Sequence, residues 1–146
     1  MKEANTISFD YLYRYTWQSI SKMYNEEAVK KESSMTIGFV LINIHYKNGT
    51  PSTMLGPRMG IEATSLSRTL NKMEELGLIY REKNPDDGRS VLIKLTPKGK
   101  QQREISKEIV LKFNQTVAEN LTKKQIESFL NVTETIQELI EQKLIF

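Results

Sequence analysis

The chain has 146 residues, with 21 Lys and Arg against 18 Asp and Glu, giving a formal net charge of +3. That length suits one compact domain or one subunit of an intertwined dimer, and so mild a basic excess permits nucleic-acid binding without demanding it. Cys is absent, which excludes disulfides, thiolate metal sites and a cysteine redox switch.

Nor does any apolar run reach the length needed to span a membrane, and Met1 to Leu12 carries no basic segment followed by an apolar one. The expected compartment is therefore the cytoplasm. Ile7 to Val29 reads as a helix rich in aromatics, with Phe9, Leu12, Tyr13, Thr16, Ile20, Met23 and Tyr24 on one side and Tyr11, Tyr15 and Gln18 elsewhere around it. Apolar surface that spreads beyond one stripe needs a second partner to cover it, the first sign of a dimer. Lys30 to Ser34 is a polar loop, and Asn48-Gly49 is a turn. Between them, Thr36 to Tyr46 (TIGFVLINIHY) is a buried strand or a buried helix on composition alone.

Ser52 to Met59 forms a short helix, with Thr50 expected as its N-cap, Pro51 as its first residue and Gly60 as the turn that follows. Its interior Pro57 removes a hydrogen bond, so this helix should be short or bent. The next helix, Ile61 to Leu76, has Leu66, Leu70 and Met73 at i, i+4, i+7 on one face. At roughly 100° per residue, Thr64, Arg68 and Asn71 point the other way. Arg offers a bidentate fork and Asn a donor–acceptor pair, which suits base edges, whereas a merely solvated face would more usually alternate Glu and Lys. Ser65, Ser67 and Lys72 flank that face and suit phosphates. Gly77 ends the helix in the left-handed region.

A hairpin follows. Leu78 and Ile79 open one strand, Val91, Leu92, Ile93 and Leu95 make the other, and Asn84-Pro85-Asp86-Asp87-Gly88 supplies the turn. Arg89 would project from the tip, where an Arg suits a narrow, electronegative minor groove. Arg81, Lys83 and Lys94 flank this wing, either as phosphate contacts or as solubilising charges. Thr96 caps a long helix with Pro97 at its first position, running to about Glu119 with Ile105, Ile109, Phe113 and Val117 four apart. Thr122 and Gln125 then form a capping box, with Leu121 and Ile126 at the staple positions. The last helix carries Phe129, Leu130, Thr133, Ile136, Ile140 and Leu144. So apolar an end, closing on Leu144-Ile145-Phe146, is a liability unless covered, so the two ends of the chain should pack together and against a second subunit.

An enzyme finds no support. Nucleophilic catalysis wants a base and an orienting group, and there is one His in the chain. No catalytic set, clustered metal ligands or cofactor motif occurs. Asp86-Asp87 fit a turn, and Gly56-x-x-x-Gly60 lacks the Lys-Ser/Thr of a phosphate loop.

The run NKMEELGLIYREKNPDDGRSVLIKLTPKG resembles the MarR family of bacterial transcription regulators. That family's pattern is an Asp-x-Arg in the wing, then a strand and a Leu-Thr-x-x-Gly helix start. Here the residues are Asp87-Gly88-Arg89 and Leu95-Thr96-Pro97-Lys98-Gly99. Gly56-Pro57 departs from the family's uninterrupted helix. The resemblance favours helix for Thr36 to Tyr46. It implies a homodimer that places a recognition helix of each subunit in the major groove, with Arg89 in the minor groove and Asp87 holding it through a salt bridge. It also implies small aromatic or phenolic effectors between dimerisation helices and DNA-binding lobe, with Tyr13, Trp17 and His45 as candidates. The plainer reading of those aromatics is core and dimer packing, and of the lone His45 a packed, hydrogen-bonded side chain.

The expected fold is mainly α with a small β-hairpin wing: a winged helix-turn-helix flanked by N- and C-terminal dimerisation helices. One MarR-like domain spans 1–146, with the DNA-binding lobe at 36–99 and dimerisation helices at 1–34 and 100–146. The expected function is a sequence-specific, homodimeric regulator of transcription on a pseudo-palindromic duplex operator, a repressor relieved by a small effector, acting through Thr64, Ser65, Ser67, Arg68, Asn71, Lys72, Asp87 and Arg89. The rival is a winged-helix protein–protein adaptor that has lost DNA binding, since fold does not settle function.

Overall fold

Ser34 accepts a hydrogen bond from the Ile37 N–H and so starts a helix in the stretch whose composition allowed either helix or strand. The computed structural model describes residues 7–146. The first six residues, which begin both the 1–34 segment and the Met1 to Leu12 stretch, lie outside the described residues. The elements in order are α1 Phe9–Val29, α2 Met35–Asn43, β1 Thr50–Pro51, α3 Ser52–Met59, α4 Ala63–Glu75, β2 Ile79–Lys83, β3 Val91–Leu95, α5 Pro97–Glu119 and α6 Lys123–Glu141. Among the described residues, six helices and one small antiparallel sheet give the mainly α winged-helix architecture that the periodicity predicts. The chain divides into two compact units, Met1–Ile109 and Val110–Phe146, with the boundary inside α5.

In the first unit a single apolar cluster joins α2 (Ile37, Val40, Leu41), α3 (Leu55), α4 (Leu66, Leu70, Met73) and the sheet (Ile79, Ile93, Leu95). α2 is apolar on nearly every side, which is why no period betrayed it. α1 meets it edge-on through Tyr24 and Phe39, whose rings stand 5.6 Å apart at 85°. An Asn25 side-chain oxygen also accepts from the Met35 N–H at 3.1 Å.

The start of α3 differs from expectation. Thr50 does not cap it: Thr50 and Pro51 form β1, paired antiparallel with Ile93 and Leu92, so the sheet has three strands in the order β1-β3-β2. Pro51 is the N-cap and Ser52 the first helical residue. The buried Thr50 hydroxyl instead closes the turn after α2, accepting from the His45 N–H at 2.9 Å and donating to the Asn43 carbonyl at 3.4 Å. A β-branched residue beside the hairpin gains a ladder partner by being extended, and that outcompetes a local cap. α3 contains Pro57 and ends two residues later, a short helix as expected, with Gly60 at its C-cap.

In the second unit, Thr122 starts α6 through the reciprocal capping box: its hydroxyl accepts from the Gln125 N–H at 3.1 Å, and the Gln125 amide oxygen accepts from the Thr122 N–H at 2.8 Å. No residue of α6 is buried.

Candidate nucleic-acid interface

α4 is held by its apolar face and displays the other. Leu66, Leu70 and Met73 are 6%, 3% and 0% exposed. Thr64, Ser65, Ser67, Arg68, Asn71 and Lys72 are all solvent-exposed on the same helix. Among the described residues, no side chain bonds those of Thr64, Ser65, Ser67, Arg68 or Lys72, so their polar groups are free to meet a ligand. Glu62 at the N-cap contributes no side-chain hydrogen bond either, leaving first-turn N–H groups open to an anion.

The far end of α4 is closed tightly. The Leu78 N–H reaches the Met73 carbonyl at 2.9 Å and the Gly77 N–H reaches Glu74 at 3.0 Å, with Gly77 at φ +72°. These two bonds are the Schellman arrangement, and buried Leu78 and Met73 supply its usual apolar contact. Three carbonyls just past the end of α4 are taken by the start of α5. Lys98 Nζ donates to Leu76, the Thr96 hydroxyl to Gly77, and the Thr96 N–H to Leu78. Thr96 Oγ1 also accepts from the Gly99 N–H at 3.0 Å, capping α5. A Cβ on Gly99 would overlap the Leu78 carbonyl oxygen. Each residue of Thr-x-Lys-Gly therefore has a task in docking α5 onto the end of α4.

The wing is closed at its base by two buried polar residues, Asn84 and Ser90, joined by an Nδ2–Oγ bond of 2.8 Å. Asn84 Oδ1 also accepts from the Asp86 N–H at 3.0 Å. Within the turn, Asp87 Oδ1 accepts from the backbone N–H of Arg89 at 2.9 Å. That bond shapes the tip. The expected salt bridge between the Asp87 and Arg89 side chains is absent among the described residues; the carboxylate accepts from the backbone of the same turn instead. Both side chains are exposed.

Of the flanking cations, two are engaged. Lys94 sits 2.7 Å from Glu82 across the β2–β3 ladder, and this hydrogen bond holds its ammonium above the usual lysine range. Arg81 on β2 reaches back to α4, donating from Nη1 to Glu74 Oε2 at 2.8 Å and from Nη2 to Asn71 Oδ1 at 2.9 Å. Arg81 thus ties the wing to α4.

A cleft of about 420 Å³ lies among α1, α2 and α3 and the turn after α3. Trp17, Phe39, Met59 and Arg58 are among its lining residues. Of the three effector candidates only Trp17 belongs to it. Tyr13 is 38% exposed on α1, and His45 is an exposed turn residue whose Nδ1 accepts from the Asn48 N–H at 3.1 Å. His45 is hydrogen-bonded, as expected, but not packed within the apolar segment: α2 ends at Asn43 and releases it to the surface.

Residues 34–91 match the model of the MarR family, the segment that carries α2 to the first residue of β3. Over that segment the chain is similar to the MarR family. Members of this family are transcription regulators built on a winged helix-turn-helix, not enzymes. The regulator SarZ of Staphylococcus saprophyticus is 29% identical over 126 residues, covering 83% of this chain and 86% of SarZ. Among solved structures, the MepR–DNA complex from S. aureus superposes with a TM-score of 0.81 at 21% identity, covering 92% of this chain and 100% of MepR. Apo MarR from E. coli gives 0.71 at 22% identity, covering 90% and 98%. Among the described residues, no helix is long and apolar enough to cross a membrane.

The sequence pattern found the exposed face of α4 and the tip of the wing. It missed the links between them. Arg81 was legible as a cation near the wing but not as the partner of Asn71 and Glu74; Asn84 was legible only as a turn former, and Ser90 carried no signal.

Proposed function

We propose that this chain is a homodimeric repressor that binds a pseudo-palindromic duplex operator and is released by a small aromatic effector. The observation that carries the reading is the exposed row Thr64, Ser65, Ser67, Arg68, Asn71 and Lys72 on a helix whose opposite face is buried. Thr64, Arg68 and Asn71 would meet base edges and Ser65, Ser67 and Lys72 phosphates, since most such contacts position and few specify. Arg89, shaped at the tip by Asp87, would enter the minor groove. The likeness to a MepR structure that contains DNA supports this use of the fold.

Two copies related by a two-fold axis require half-sites about one helical turn apart. The exposed apolar residues of α1 and α6, Tyr15 and Ile140 among them, favour a second copy as their cover. The lobe at 36–99 would then be the reading module and the segments 1–34 and 100–146 the pairing one. An effector in the cleft would lie against Trp17 and Phe39 with Arg58 beside it. It would act by preferring a subunit spacing that does not match the half-sites, because only differential affinity shifts an equilibrium.

The test is a gel shift of the purified protein on the DNA immediately upstream of its own gene, at two salt concentrations. Specific, salt-sensitive binding is expected. Arg89→Ala should weaken it and lower the slope of log affinity against log salt by about one. Unchanged affinity in that variant would remove the wing from the mechanism, and no binding to any duplex at low salt would favour the adaptor.

A further inference from the structure

Arg81 contacts two residues one turn apart on the recognition helix, Asn71 and Glu74, and does so from the first strand of the wing. A guanidinium has only donors. The Asn71 amide atom facing Nη2 at 2.9 Å must therefore be the oxygen, and the amide cannot flip without setting two donors against each other. The second arm of the fork is fixed on Glu74 at 2.8 Å, so Arg81 does not swing freely. The Asn71 side chain is consequently presented in one orientation, with Oδ1 turned to β2 and Nδ2 without a partner among the described residues.

This orientation bears on which base Asn71 reads. An Asn recognises adenine when Oδ1 accepts from N6 and Nδ2 donates to N7 together. With Oδ1 held against β2, only the Nδ2 donor is offered. We propose that Arg81 is a positioning residue for base specificity, locking Asn71 as a hydrogen-bond donor that meets the acceptors of guanine, thymine or adenine alike and withholds the bidentate contact that would single out adenine. The inference rests on the reading of α4 as the base-contacting helix.

The test is selection from a duplex library with a randomised core, run in parallel with the wild-type protein, Arg81→Met, Asn71→Ala and the double variant. Wild type is expected to disfavour cytosine, whose major-groove edge offers only a donor, and to show no preference for adenine over guanine or thymine at one position of each half-site. Arg81→Met frees the amide, and adenine at that position should rise about tenfold, the gain expected of one bidentate contact. The other positions should be unaltered, which also reports that the variant is folded. Asn71→Ala should erase the preference at the same position, and adding Arg81→Met to it should change nothing more. Arg81→Gln, whose amide no longer forces the orientation, should repeat the shift and serves if the Met variant does not fold. Base frequencies in Arg81→Met that equal those of wild type, or a loss spread evenly over all positions, would overturn the inference while leaving the regulator reading intact. Failure of the wild-type protein to enrich any sequence would overturn both.

Discussion

The winged-helix lobe and the C-terminal helical unit use apolar residues in opposite ways. In the lobe, side chains from Ile37 to Leu95 converge on one cluster, with Val40, Leu41, Leu55, Met73 and Ile93 near zero exposure. In Val110–Phe146, Phe129, Leu130 and Ile140 remain 59%, 51% and 60% exposed, and no residue of α6 is buried. The lobe satisfies its own pattern within one chain, because helices and sheet close around each other. The terminal helix has a well-formed start and an apolar face, but a cap fixes only where a helix begins, not what it packs against. Stability of the lobe is thus a property of one subunit, while that of the terminal helix depends on the proposed second copy.

Three substitutions probe this contrast. The largest effect is expected for Leu70→Ala, which empties a nearly fully buried position of the lobe. A loss of about 2–5 kcal/mol is expected in denaturant unfolding, independent of protein concentration. Next comes Gly99→Ala, whose new Cβ would overlap the Leu78 carbonyl and force α5 away from the end of α4. Overpacking of this kind costs about 1–3 kcal/mol, and the variant should also lose DNA affinity, because α4, the proposed base-reading helix, ends at that joint. Smallest is Ile140→Ala on the exposed face of α6. In dilute protein its effect should stay within about 0.5 kcal/mol, and it should grow with protein concentration as subunits pair. Sedimentation at several concentrations, alongside unfolding, separates the two regimes. A cost matching that of Leu70→Ala in dilute protein would break the contrast, since it would mean the single chain already covers α6.

Local sequence was enough wherever a feature is set by neighbours a few residues away. The buried row Leu66, Leu70, Met73 and the exposed row Thr64, Arg68, Asn71 follow from helical geometry alone. Gly77 follows from the left-handed turn a helix end prefers, and Thr122 with Gln125 from a reciprocal cap spanning three residues. The fold class and the exposed surface of α4 were therefore present in the chain as periodicity and punctuation.

What tertiary structure decided lies at longer range. Thr50 had the chemistry of a cap, yet its pairing with Ile93, far along the chain, made it a strand residue. The stretch after Thr36 was apolar in every direction, and only burial against α1 and the cluster made it a helix that ends at Asn43 and frees His45. Asp87 was expected to hold the Arg89 side chain and holds its backbone instead. Arg81 was one cation among several near the wing until the hairpin folded back and set it against Asn71 and Glu74. Periodicity reports which face a residue occupies. Which partner waits on that face is decided when separate elements pack, and that requires the three-dimensional arrangement.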